Sequence, residues 1–390
     1  MKVLKVLLFL LVLLAVGIAI VAFLFQKSIQ PQVDTNTKDI QTFTASRLVN
    51  TPIIYPTMHP RLEEEATEYG YTNINGPSLI RVPDWIDQPL GQYYLYFAHH
   101  KGQFLRLAYA DSLQGPWTMH DQEILPLAVS GMATEAAPAI GLSKLNEYVS
   151  WSELVALFKI GGDAKKAWEE RNKQKMKSSP PTTPHIASPE VIIDEIKKEI
   201  RLYYHGVAEG NLQLAKVALS KDGLEFKPTT GFIGAPYLRV FSKKNYTYTL
   251  GMPGFLYRSA NGLDNFKVRK RWLFGTNVRH SSLLQEGNML YIFFTKVGDA
   301  PERILYSQMD ISSDDWNDWK VSPPKELLRP ELEWEGANLD KVPSMRGEMG
   351  VQVNQLRDPD IFKDADGQLY LLYTGAGEQA IGIARLSFEK

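Results

Sequence analysis

A short pattern recurs five times in this chain and leaves few architectures open to it. Its clearest copy runs from Arg357 to Lys390. A first run, Arg357-Asp358-Pro359-Asp360-Ile361-Phe362, turns at Asp366-Gly367 into Leu369-Tyr370-Leu371-Leu372-Tyr373-Thr374, and a third run follows from Ile381 to Leu386. Such segments read as short strands joined by tight turns, the glycine supplying positive φ. One three-stranded meander cannot bury its own faces and needs neighbours like itself.

Four further copies supply them. They begin at Asn75-Gly76-Pro77, Ala187-Ser188-Pro189, Gly234-Ala235-Pro236 and Arg279-His280-Ser281. Each continues through an aromatic-rich second run (Tyr93 to Phe97, Ile200 to Tyr204, Tyr246 to Leu250, Leu290 to Thr295) and a third. Five meanders in series predict an all-β fold, a five-bladed β-propeller over 71–390. The chain has 390 residues, 44% of them hydrophobic and 11% aromatic, ample for that core. A formal net charge of −1 gives no reason to expect nucleic acid as a partner, and the lack of cysteine excludes disulfides and thiolate metal sites.

Two segments break the pattern. Lys2 and Lys5 precede an uncharged run, Val6 to Phe25, which ends in Phe23-Leu24-Phe25, a poor cleavage site. About 20 apolar residues span a bilayer as a helix, so 1–27 reads as an uncleaved transmembrane anchor. The lysines would then be cytoplasmic and the bulk of the chain exported to the periplasmic or extracellular side. Residues 28–70 read as a polar stalk and lead-in. Between the first two copies, at about 120–184, lies an insertion with helical spacing from Trp151 to about Lys177 and a stiff Ser178–Pro184 spacer. It is either a lid over one propeller face or a peripheral embellishment.

In a propeller the first strands line the axis, and register-matched residues meet there. Alignment on Pro77, Pro189, Pro236, Ser281 and Pro359 brings Gly76, Ser188, Ala235, His280 and Asp358 to one level, with Arg279 and Arg357 one step earlier. Arg, His and Asp so placed suit a carboxylate-bearing or hydroxyl-rich ligand; the alternative is a structural bridge between blades. Five of seven histidines fall in the repeats, and His99, His100, His185, His205 and His280 sit at strand ends where they can converge. The turn Lys296 to Arg303 adds Asp299 and Glu302 as candidate carboxylates, with Glu378 a weaker one. Asp358, His280, Glu302 and Asp299 are thus the expected catalytic set. Arg357, Arg279, His99, His100, His185, His205, Arg239, Lys296 and Arg303 are the expected ligand-binding set. No histidine spacing matches a compact metal motif, and no cofactor is required by the sequence.

The Arg357-Asp358-Pro359-Asp360-Ile361-Phe362 and Asp366-Gly367-Gln368-Leu369-Tyr370-Leu371-Leu372-Tyr373 runs, with the turn Ala110-Asp111-Ser112-Leu113-Gln114-Gly115-Pro116-Trp117, resemble the five-bladed propeller glycoside hydrolases of families 43 and 32. The resemblance implies an oligo- or polysaccharide ligand, with a structural calcium possible, and axial acidic residues. This chain departs from that pattern at two of them: Gly76 stands where the first blade would carry Asp, and Gly234-Ala235-Pro236 where a Glu-Gly-Pro would stand. Only Arg357-Asp358-Pro359 keeps the acidic form. The expectation is a glycan-acting, glycosidase-like propeller with an unusual acid/base set; a noncatalytic carbohydrate-binding propeller and a protein-interaction propeller are the alternatives.

Overall fold

The computed structural model describes residues 32–35, 37, 39–136, 151–176, 178–269 and 271–388. Their strands form five four-stranded antiparallel sheets. The strand β1 (Phe43–Arg47) comes first in the chain but belongs to the last sheet. Blade one is β2 (Asn75–Arg81), β3 (Tyr93–Ala98), β4 (Leu105–Ala110) and β5 (Thr118–Met119). Blade two is β6 (Ile186–Asp194), β7 (Glu199–Val207), β8 (Gln213–Ser220) and β9 (Lys227–Pro228). Blade three is β10 (Arg239–Lys243), β11 (Tyr246–Gly251), β12 (Phe255–Ser259) and β13 (Lys267–Val268). Blade four is β14 (Val278–Glu286), β15 (Met289–Lys296), β16 (Ile304–Asp310) and β17 (Lys325–Leu328). Blade five is β18 (Arg357–Lys363), β19 (Leu369–Gly375) and β20 (Ala380–Phe388), completed by β1.

The first strands pack in a closed circuit, β2 on β6, β6 on β10, β10 on β14, β14 on β18 and β18 back on β2. This is the five-bladed propeller expected from the repeats. Strand alternation explains how it coheres. Leu95 and Phe97 of β3 pack toward blade five with Leu372, Ile381 and Ile383. Tyr94 and Tyr96, on the opposite face, pack toward blade two with Leu202 and Tyr204. Each sheet is therefore apolar on both faces, because both are covered by a neighbour.

The lead-in closes the ring. β1 pairs with β20, Ala45 opposite Leu386, and Arg47 grips the fully buried Glu335 through Nε and Nη2, each at 2.7 Å. Tyr373 donates to the same carboxylate at 2.7 Å. After β1 comes a helix, Pro60–Tyr69, started by His59, whose Nδ1 accepts from the Arg61 amide, and ended by Gly70 at φ 75°.

Inner strands are locked to one another by side chain to main chain hydrogen bonds running around the axis. Ser78 accepts from the Val191 amide at 2.9 Å, Glu190 from Val240 at 3.1 Å, Ser282 from Ile361 at 2.8 Å and Asp360 from Leu79 at 3.1 Å. Between blades three and four Arg239 takes the place, donating to the Ser281 carbonyl at 2.6 Å. Just before these positions β2, β6, β14 and β18 are bulged. Gly76, Ser188, Tyr237 and Asp358 adopt φ of 57°, 52°, 59° and 48°.

That lock corrects the blade-three register. Its level with Ser78, Glu190, Ser282 and Asp360 is Arg239, so Tyr237 and not Ala235 matches Gly76, Ser188, His280 and Asp358. Pro236 had suggested a register two residues earlier; a shift of two keeps strand alternation intact, so the hydrophobic pattern does not reveal it.

The insertion contains a helix, Trp151–Lys173, slightly shorter than the stretch to Lys177 read as helical. Its Ile160 packs on Tyr237 and Met252. The helix thus lies over the axial mouth, which decides between lid and embellishment in favour of a covering element. The transmembrane expectation for 6–25 falls outside the described residues; among those described, no helix is long and apolar enough to cross a membrane.

Candidate functional site

Under the helix lies a cavity of about 550 Å³. His100 and Lys101 reach it from the end of β3, Tyr237 from the lead into β10, and Arg279 and His280 from β14. Arg346 and Glu348 come from the loop before β18, and Trp168 and Arg171 from the helix. The inner strands place these groups together because their bulges turn side chains at one level toward the axis.

An imidazole and a carboxylate meet beside this cavity. His280 Nδ1 is in direct contact with Asp358 Oδ1, and Asp358 accepts from the Gly76 amide at 3.3 Å. Burial, and then the nearby Arg279 charge, hold the His280 imidazole well below its usual pKa, so it is neutral near pH 7. A neutral ring with Nδ1–H directed at Asp358 keeps Nε2 as an acceptor.

Tyr237 organises the histidines. Its ring lies 4.2 Å from that of His280 and 4.3 Å from that of His205, and its hydroxyl is 3.2 Å from His100 Nε2. His205 stands 5.6 Å from His185, whose Nδ1 lies 2.7 Å from the Thr183 carbonyl. Both rings are fully buried and, by desolvation, held neutral. His99 is buried against Tyr71, at 5.4 Å between rings, and only its neighbour His100 lines the cavity.

Behind this layer is an ion-pair lattice with no solvent exposure at Arg357, Glu302 or Glu378. Arg357 bridges Glu302 at 3.3 Å and Glu378 at 2.9 Å, and Arg279 reaches Glu302 at 3.3 Å. Glu378 also accepts from Asn73 at 2.6 Å and lies 3.4 Å from His100 Nδ1. Burial alone would raise its pKa, but His100, Arg357 and the Asn73 amide hold it well below the usual carboxylate range. Glu378 is therefore an ionised anchor for His100 and Arg357.

The structure separates the expected residues into two groups. Arg279, His280 and His100 line the cavity, with Asp358, Glu302 and Arg357 directly behind and His185 and His205 adjoining through Tyr237. Arg239, Lys296, Asp299 and Arg303 do not line it. Arg239 joins blades, pairing with Glu190 at 3.1 Å and bonding the Pro189 carbonyl at 2.9 Å. Asp299 pairs with Arg303 at 3.2 Å, which in turn reaches Glu326 at 2.8 Å, and Lys296 lies over Phe294. These four belong to blade packing and the blade-four rim; of the turn after β15, Glu302 is the residue that reaches Arg279 and Arg357. Glu190 faces Arg239 and Val240, away from the cavity, as strand alternation implied.

The sequence reading missed Tyr237 through the blade-three register, and missed Lys101, Arg171, Arg346 and Glu348. Lys101 follows directly on His100, a signal that was available; the other three lie in an insertion and a loop that no repeat covers. Glu378 was underweighted because its turn gives no sign of Arg357 or Asn73 nearby. Among the described residues, no group of three or more His, Cys, Asp or Glu side chains is arranged to hold a metal ion, so no calcium site is assigned.

No family model matches the chain. It is 33% identical over 339 residues to "Uncharacterized protein R118" of Acanthamoeba polyphaga mimivirus, covering 80% of this chain and 83% of that protein. Among solved structures, a thermostable family-43 glycoside hydrolase overlays at a TM-score of 0.47 with 11% identity, over 81% of this chain and 89% of that one. A family-43 β-xylosidase/α-arabinofuranosidase from a compost microbial metagenome gives 0.47 and 12%, over 88% and 95%. An α-L-arabinanase from Cellvibrio cellulosa gives 0.44 and 12%, over 80% and 91%. Overlays at this level assign no activity, and the architecture rests on the chain's own five sheets.

Proposed function

This chain belongs to the same family as that mimivirus protein, and on that premise we propose that its propeller acts on a glycan held in the axial cavity. His280, oriented by Asp358, is the proton-handling group: Nε2 accepts a proton from a sugar hydroxyl or water, and Asp358 stabilises the imidazolium. Arg279 and the histidine–tyrosine cluster position the ligand, while Arg357 holds Glu302 and Glu378 in place. The single observation behind this reading is the His280–Asp358 pair at the wall of a covered cavity. The repeat resemblance to propeller glycoside hydrolases points to sugar as the ligand class.

A second reading, carbohydrate binding without turnover, is favoured by the state of the carboxylates. Glycosidases place two carboxyl groups about 5–10 Å apart across the scissile bond. Here Glu302 and Glu378 are held by arginine, and Glu348 is the one acidic residue lining the cavity. The reading is tested by incubating the protein with defined oligosaccharides and following binding by calorimetry and products by mass spectrometry. Turnover lost in His280→Ala and Asp358→Asn supports the enzyme. Binding without products supports the second reading, and no binding of any sugar overturns both.

The 6–25 run further supports an exported, membrane-anchored protein. Membrane fractionation with protease accessibility of the propeller in intact cells tests it; a protected, freely soluble propeller overturns it.

A further inference from the structure

The charge balance of the cavity is lopsided. Five of its charged lining side chains are cationic and one, Glu348, is anionic. Three of the cations, Lys101, Arg171 and Arg346, are almost fully buried at 3%, 2% and 8% exposure. Their hydrogen-bond partners are uncharged: Lys101 Nζ donates to the Pro181 carbonyl at 3.2 Å, Arg171 Nη1 to the Arg346 carbonyl at 2.6 Å, and Arg346 to the Thr276 carbonyl and the Met252 sulfur. A carbonyl dipole satisfies a donor but does not neutralise a charge. Arg171 Nε is buried with no partner at all. Glu348, bonded by the Tyr71 hydroxyl at 2.8 Å and the Ser179 amide, is the one carboxylate lining the cavity whose charge Lys101 and Arg171 feel, and it serves both.

Buried cations that outnumber their counter-charges are costly. The cost is visible in the side chains themselves, since burial pulls the pKa of Lys101 down to about 8 and those of Arg171 and Arg346 to about 10. Elsewhere in the propeller buried arginines meet carboxylates, as Arg357 meets Glu302 and Glu378 and Arg239 meets Glu190. Arg269, held by the Asn317 and Trp319 carbonyls, is a lone exception among the described buried arginines outside the cavity; in the cavity three such cations gather, where a ligand can bring the missing charge.

We propose that the glycan taken by this cavity is anionic, its carboxylate, sulfate or phosphate group seated against Lys101, Arg171 and Arg346. This rests on the glycan reading above and specifies its substrate class. Guanidinium forks suit the oxyanion geometry common to all three groups. Because Arg171 comes from the covering helix and Arg346 from the loop before β18, the anion also joins the lid to the propeller.

The test uses the described propeller in the full chain with ligand pairs that differ only in charge. Trigalacturonate is compared with its methyl ester, a sulfated galacto-oligosaccharide with its desulfated form, and mannose 6-phosphate with mannose. Calorimetry is expected to show at least one charged member binding about ten-fold or more tightly than its neutral counterpart, the equivalent of one charge-assisted hydrogen bond. Which pair shows the gap identifies the anion. The gap is expected to narrow between low and high salt, and in Lys101→Gln and Arg346→Gln. Equal affinity within every pair overturns the inference while leaving the glycan reading intact. Inorganic sulfate binding as tightly as any sugar also overturns it, because the cavity would then recognise an anion without its sugar. If a variant fails to fold, the paired ligands on the unaltered protein still decide.

Discussion

Arg357 Nη1 lies 2.9 Å from Glu378 Oε1, and both side chains are wholly shielded from solvent. Arg357 opens β18 and Glu378 lies in the turn between β19 and β20, yet the pair orders groups from three blades, since Glu378 also holds Asn73 and His100 and Arg357 also holds Glu302. The lattice makes the axis rigid and fixes the inner walls of the cavity.

Removing Glu378 unbalances the lattice, because Arg357 and Arg279 are then left to share Glu302. Glu378→Gln is expected to leave Arg357 short of a counter-charge and to destabilise the propeller by about 3–5 kcal/mol. Urea unfolding checks this; a midpoint unchanged from the native protein would show that the lattice contributes little.

His280 and Asp358 act together. Asp358→Asn keeps the shape of the carboxylate but removes its charge, so turnover is expected to fall about 100-fold or more, the usual contribution of a positioned general base. Binding of the glycan should change far less. Equal loss of binding and turnover would reduce the pair to a ligand-binding contact.

Tyr237→Phe removes one hydroxyl and leaves the ring between His205 and His280. Loss of the 3.2 Å contact to His100 is expected to weaken ligand binding by about 1 kcal/mol, read by calorimetry. A native melting temperature with no affinity change would assign Tyr237 to packing alone.

Lys101 gives a pH signature with two opposed limbs. Its pKa falls from 10.5 to about 8 in the folded protein because of burial. Between these values the unfolded chain binds more protons than the folded one, so the Lys101 contribution makes stability rise with pH across that window. Affinity for an anionic ligand should fall over the same range as the ammonium is lost. Native Lys101 is expected to show both trends and Lys101→Met neither, in paired denaturation and calorimetry series.

Ring closure has its own acid limit. Glu335 is buried, which by itself would raise its pKa, but Arg47 and the Glu331 and Leu332 amides hold it below the ordinary value. A depressed carboxylate stabilises the fold above its unfolded pKa and loses that contribution as pH falls through its folded pKa. Acid unfolding should therefore be shallower in Glu335→Gln than in the native protein. An identical acid profile would place the closure elsewhere.

The repeats alone determined the propeller. Alternating apolar runs such as Tyr93 to Phe97 and Leu369 to Thr374 need cover on both faces, and only neighbouring blades provide it. The level of His280 and Asp358 was legible too, because proline and serine mark the same bulge in four blades. The sequence did not determine the third blade's register, since Pro236 and Leu238 both satisfy an alternation of two. Nor did it identify the charge state of the cavity. Arg171, Arg346 and Glu348 lie outside every repeat, and whether a carboxylate is free or held depends on what the ring brings against it. Glu378 and Arg357 are ordinary residues of a hairpin until the circuit of inner strands closes; only the tertiary structure, by excluding water from them, turns them into a lattice.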